Sequence, residues 1–240
     1  MKFSQEFFDL QIRFAERVAE LSGMALEQAL LDYTNLYVRF GLGRDFDAGH
    51  PLWIDFLTGF SRTADRAEWT YLFFRSRDDQ PEPPSVVATF GCFSYARAEH
   101  ERIRLHFEDV EAKGQAPLSI ERIASRKAEL RALFEHVKRT QQGAQRAAGI
   151  SWLYNLPAYR RLFPDTYLAT AQIAGQRFRN MPLWGQFIDR HGSVRAPAAT
   201  VFLARLSRQA GMERLAECFP LQPLAVEAPL PDFYKFHGID

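Results

Sequence analysis

The sequence predicts an α+β chain, in which a helical N-terminal section leads into a mainly antiparallel sheet packed with a long helix. Three observations point there. Apolar residues recur at helical spacing through residues 1–61. Between Glu68 and Phe107 lie three runs rich in β-branched and aromatic residues. A long segment opening at Ser119 then returns to helical spacing.

Ser4 stands at an N-cap position, with Glu6 in the first turn. Phe7, Leu10, Phe14, Val18 and Leu21 form one apolar stripe, and Ser22-Gly23 stops the helix. A second helix presents Leu26, Leu30, Tyr33, Tyr37 and Phe40 and ends at Gly41, so the two predict an antiparallel helical pair. Gly41–Pro51 (GLGRDFDAGHP) is a loop. Its Asp45, Asp47 and His50 are metal-donor types, yet the same residues beside Gly and Pro serve as turn formers and caps, and no metal site is assigned. Leu52–Phe60 predicts a short helix.

Glu68–Arg75 (EWTYLFFR), Val86–Tyr95 (VVATFGCFSY) and Arg102–Phe107 (RIRLHF) read as strands, the last two as a hairpin. A turn centred near Glu99 sets Cys92 opposite His106 and Ser94 opposite Arg104. Val87, Thr89, Gly91, Phe93 and Tyr95 then share the other face with Ile103, Leu105 and Phe107. Ser119 caps the long helix, with Ile120, Ile123, Leu130, Leu133, Phe134 and Val137 on one side and Arg122, Arg126, Lys127 and Arg131 on a solvated side. Ile150–Asn155 reads as a buried strand and Pro157–Phe163 as a helix with proline at N1. Asp165–Ile173 and Leu183–Ile188 read as strands, Asp189–Ser193 (DRHGS) as a hairpin-like turn and Pro197–Gln209 as a helix. Residues 219–240, rich in proline and aromatics, read as an extended tail docked by Phe233, Tyr234 and Phe236. With no repeat or linker, residues 1–240 read as a single domain with 1–61 as a helical subregion.

Thirty basic and twenty-nine acidic side chains leave a formal charge of +1, which gives no footprint for nucleic acid or an anionic membrane. No apolar run approaches the ~18 residues of a membrane span, and MKFSQEFFDL lacks the pattern of a signal peptide. Cys92 and Cys218 give neither a disulfide framework nor metal-ligand spacing. The expectation is a soluble, cytoplasmic protein. Twenty-one Phe imply either a bulky core or an apolar pocket or homo-oligomer interface. The sequence lacks a Gly-x-Ser-x-Gly elbow, a P-loop, His-Glu-x-x-His, Cys-x-x-Cys and a complete Gly-x-Gly-x-x-Gly. These absences disfavour serine hydrolases, nucleotide triphosphatases, zincins and Rossmann dehydrogenases.

Three constellations could carry chemistry. Cys92 and His106, if paired across the hairpin, suit a thiol hydrolase or deamidase, because a neighbouring base raises the thiolate fraction. Ser151–Phe163 (SWLYNLPAYRRLF) sets Trp152, Tyr154 and Tyr159 beside Arg160 and Arg161, which suits a planar or anionic ligand as well as plain packing. The turn Glu111–Ala116 lies between a strand and a helix start, where free backbone N–H groups and the helix dipole favour phosphate.

That turn resembles the one in the GNAT acyltransferase superfamily, whose members carry Arg/Gln-x-x-Gly-x-Gly/Ala there to hold the pyrophosphate of acyl-CoA. Gly114 and Ala116 match the spacing; Glu111 stands where the family has Arg or Gln, and Pro117 removes one N–H. The order of elements is also similar. Asn155 and Ala158 match an Asn and Ala three apart at the family's next landmark, and its acid tyrosine falls on Leu162, so Tyr154 or Tyr159 would substitute. Over Glu68–Ile173 the resemblance implies acyl-CoA as cofactor, held by Lys113, Gly114, Gln115 and Ala116, with Tyr154 or Tyr159 protonating the leaving thiolate. Two other readings stand beside the acyltransferase: a non-catalytic binding or assembly protein with an aromatic interface, and a Cys92/His106 thiol enzyme.

Overall fold

The computed structural model describes residues 3–77, 86–110, 116–174, 178–179, 181–189 and 191–240. Five helices lead: α1 (Gln5–Ser22), α2 (Leu26–Tyr33), α3 (Leu36–Arg39), α4 (Pro51–Arg62) and α5 (Arg66–Arg75). Strands β1 (Val86–Phe90), β2 (Phe93–Ala98) and β3 (Arg102–Phe107) follow, then the long helix α6 (Ile123–Thr140) and β4 (Arg146–Ser151). Short helices α7 (Pro157–Arg160) and α8 (Asp165–Leu168), strand β5 (Gln172–Ile173), α9 (Met181–Trp184) and α10 (Ala196–Leu206) come next. Strand β6 (Leu224–Pro229) and α11 (Leu230–His237) finish the order. Two compact units share these elements: Met1–Pro81 with Gly175–Gln222, and Glu82–Ala174 with Pro223–Asp240.

The first unit is helical and its centre is aromatic. Helix α1 packs on α2, α5 and α10, and Phe14 lies 5.3–5.8 Å from the rings of Phe178, Trp184, Phe202 and Phe219. Each fully buried ring contributes on the order of 1.5–3 kcal/mol. Glu68–Arg75, expected as a strand, is α5. Its strand-like composition loses to local capping and packing. The Asp65 carboxylate accepts from Glu68 N–H at 2.8 Å, and Trp69 donates its indole N–H to Phe56 O at 3.0 Å. Gly59 makes room for that indole, since a Cβ there would stand 2.1 Å from it. The expected strand Leu183–Ile188 is instead the end of α9 and a 3₁₀ turn, Gly185–Phe187. The turn after it forms as expected: the Asp189 carboxylate accepts from His191 N–H and Ser193 N–H, and Ile188 bridges Val194. In the Gly41–Pro51 loop, Asp47 accepts from Gly49 N–H and His50 caps α4 through Leu52 N–H, the turn and cap roles of those residue types. Among the described residues no three His, Cys, Asp or Glu converge as a metal site.

The second unit is built on an unclosed six-stranded sheet of order β1-β2-β3-β4-β6-β5, antiparallel throughout except for β3 and β4. That parallel pair requires a crossover, which α6 supplies. Phe93, Tyr95, Ile103, Leu105 and Ala147 meet Leu130, Leu133, Phe134 and Val137 of α6 and Phe233 of α11 in one core. The expected strand Val86–Tyr95 is two strands, broken at Gly91 (φ 57°), where the Glu129 carboxylate lies so close that any Cβ would strike it. The break and a bulge in β1 reverse its faces. Ala88 and Phe90 turn to the core, while Val87 and Thr89 are exposed. Arg126, expected on the solvated side of the helix, is 1% exposed and pairs with Glu129 at 3.1 Å.

Two further expectations change here. Asp165–Ile173 opens as α8, turns through residues 169–171, and only its last two residues are strand. Residues 219–240 are not an extended tail. Leu224–Pro229 inserts as β6 between β4 and β5, pairing all six residues of β4, and Leu230–His237 is helical. The Val226 and Ala228 side chains bury into the core, which explains a placement that proline content disguised. No described helix is long and apolar enough to cross a membrane.

Candidate functional site

The sheet opens where its parallel pair ends. Arg102, Ile103 and Arg104 pair with Arg146, Ala147 and Ala148, and the ladder then stops, although both strands continue for three more residues. Glu108 N–H donates to Cys92 O on the β2 side, and Arg146 N–H reaches Glu101 O on the β3 side. Leu105 N–H closes the last rung on Ala148 O, and alternation along the strands therefore turns the Leu105 carbonyl and the main-chain groups of Phe107 and Ile150 into the gap. Beyond that rung, the Leu105 carbonyl and both main-chain groups of Phe107 and Ile150 have no paired strand among the described residues.

One wall of this gap is a stack of phenols. The Ser151 hydroxyl accepts from Leu153 N–H at 3.1 Å and starts the 3₁₀ turn Trp152–Asn155, which Asn155 braces by donating to Trp152 O at 2.8 Å. This turn and the proline start of α7 carry Tyr154 and Tyr159 back into the core, 1% and 2% exposed. The Tyr159 ring meets Phe107 edge-on at 5.5 Å. Tyr154 and Tyr167 join hydroxyl to hydroxyl at 2.8 Å, and Tyr159 hydrogen-bonds Tyr154 in turn. Both upper hydroxyls rest on Gly149, where a Cβ would come within 2.1 Å of one and 2.5 Å of the other. Burial pushes all three phenols well above their ordinary pKa, so they are neutral proton donors at physiological pH.

The other wall leads to α6. The Arg161 guanidinium donates to Leu118 O at 2.6 Å and Ser119 O at 3.0 Å, tying the end of α7 to the segment that enters the long helix. Of the turn expected to hold an anion, Lys113, Gly114 and Gln115 lie outside the described residues, and Ala116 is exposed at its edge.

Cys92 and His106 take a different register from the one expected. The hairpin turns one residue later, through His100 and Glu101 with φ of 58° and 57°, so Ser94 faces His106 and Ala96 faces Arg104. A shift of one residue in the turn moves the partner by two and leaves the faces unchanged. Cys92 is buried in the β1–β2 turn, its N–H donating to Glu129 at 3.1 Å, while His106 is exposed.

The outer sheet face carries charge that composition does not reveal. Glu227 on β6 receives Arg102 at 3.1 Å and also Arg146. Burial raises its pKa, but the hydrogen bonds from Arg146 and Arg102 outweigh that and hold the carboxyl below its ordinary value. Sequence reasoning overlooked Gly149 and also Tyr167, which reads as part of a strand. An open groove lined by Arg131, Glu135, Lys138 and Gly238–Asp240 lies at the far end of α6 from the gap. No family model matches the chain, and no curated protein or solved structure matches it either.

Proposed function

We propose that the second unit is an acyltransferase module that takes its acyl group from a coenzyme A thioester, with the gap between β3 and β4 as its binding mouth. The observation that carries this reading is the early end of the parallel ladder. Main-chain donors and acceptors exposed in a sheet call for partners of matching spacing. The pantetheine arm of coenzyme A has two amides along an extended chain and can supply them as a short added strand. Its thioester then lies beside the phenol stack.

The strand order also supports the reading. Three antiparallel strands, a helix and then a further strand follow the order of elements that underlies the resemblance to the GNAT superfamily. In transfer to an amine, the acceptor nitrogen forms a bond to the thioester carbon and the carbon–sulfur bond breaks. The proton lost by the amine balances the one gained by sulfur. Tyr159 or Tyr154 serves as donor to the sulfur, since a neutral buried phenol keeps its proton until a thiolate develops beside it.

Titration with coenzyme A, followed by calorimetry or thermal shift, tests the proposal. The expected result is saturable binding that also protects the Phe107 and Ile150 amides from hydrogen exchange. No binding at millimolar coenzyme A overturns it. In a turnover assay Tyr159→Phe or Tyr154→Phe lowers kcat with little change in coenzyme A affinity.

A further inference from the structure

Among the described residues, the outer face of the sheet holds a cation that the fold leaves unused. Arg102, Arg104 and Arg146 all lie on that face, and Glu227 bonds two of them. Arg104 is exposed, and among the described residues its guanidinium makes no ion pair or hydrogen bond. Its register partners are Ala96 on β2 and Ala148 on β4, so methyl groups lie beside it across the sheet, with Arg102 and His106 before and after it on the same face of β3. An unpaired arginine at the centre of a sheet, walled by alanines, has no packing duty that leucine or threonine would not perform better.

Its position adds a second argument. Arg104–Ala148 is the last rung of the parallel ladder, so Arg104 stands at the vertex of the gap. His106, the next residue of β3 on the same face, lies about 7 Å further toward the mouth. With Glu227 already committed to two arginines, the face around Arg104 is net positive.

We infer that Arg104 binds the carboxylate of the acceptor, and that the acceptor is therefore an amine bearing a carboxylate, of the amino-acid class. This inference rests on the acyltransferase reading above. An exposed planar guanidinium offers a carboxylate two parallel N–H donors, and the amine of an α- or β-amino acid then projects toward His106 and the thioester.

The test compares matched acceptors with acetyl-CoA, reading release of the free thiol. Each pair consists of an amino acid and the amine left after removing its carboxylate. The wild type is expected to show KM about tenfold to a hundredfold lower for the carboxylated member. Arg104→Gln should abolish that preference while leaving coenzyme A affinity and melting temperature unchanged, and Arg104→Lys should restore part of it. Turnover with equal KM for both members, or an Arg104→Gln enzyme that keeps the preference, overturns the inference and leaves the acyltransferase reading standing. Failure to bind coenzyme A overturns both.

Discussion

Acidification should loosen α11 from α6 through a single imidazole. His237 is 9% exposed, stacks on Phe134 at 5.5 Å and 22°, and has a buried Nε2 without a hydrogen-bond partner among the described residues. Burial, then the charges of Lys127 and Arg131, pull its pKa from 6.5 down to about 4. The folded protein thus holds fewer protons here than the unfolded chain between those values. The contribution is complete above pH 6.5 and is lost as the pH falls toward 4. A fall of this size corresponds to an upper bound of about 3 kcal/mol, and to about half of that once solvent at the open edge of the ring is allowed for. Hydrogen exchange of the α11 amides, corrected for intrinsic rates, should show protection dropping between pH 6.5 and 4.5 by one to two kcal/mol, about a tenfold change. His237→Phe keeps the stacking and removes the titration, so its protection should be flat by comparison. Parallel pH profiles for the two proteins would refute the reasoning.

Three further outcomes are expected. Gly149→Ala should cost about 2 kcal/mol, read by urea denaturation, because the new methyl meets two hydroxyls of the phenol stack; adding Tyr154→Phe should recover part of the loss, and a silent Gly149→Ala would sink the packing argument. Glu129→Gln should destabilise the second unit by about 3 kcal/mol, since it strips charge from the partner of buried Arg126. A cost below 1 kcal/mol in the same assay would show that other groups compensate the guanidinium. Asp65→Ala removes the cap of α5 and should cost about 1 kcal/mol, with helix loss seen in the Trp69 environment.

Much of the α+β layout could be read from local pattern. Helix α1, the core face of β2 and β3 and the apolar side of α6 follow from periodicity, because each element buries one side against its own unit. Where tertiary contacts outweighed composition, reading failed. Glu68–Arg75 has the residues of a strand and the cap of a helix, and the cap together with Trp69 packing decided it. Cys92 and His106 looked opposed because a hairpin's register depends on one turn residue, and His100 and Glu101 adopt φ values that composition does not announce. The phenol stack was half visible: Tyr154 and Tyr159 stand in a conspicuous run, while Tyr167 joins them only because Gly149 admits both hydroxyls. Arg104 was invisible as a site, since its significance lies in two alanines on neighbouring strands.

The late entry of β6 into the sheet has a consequence for how the chain is made. The polypeptide leaves the second unit after Ala174 and returns at Pro223, and Ala174 N–H bonds Pro223 O at 2.9 Å, so the excursion is tied off at its neck. During synthesis from the N-terminus, β1 to β4 emerge with one long open edge, and β5 has no neighbour to join. Until Leu224–Pro229 leaves the ribosome, β4 presents unpaired backbone that another nascent chain could bind. A chain truncated before Leu224 therefore yields a sticky half-sheet, whereas one released with Leu224–Pro229 closes it.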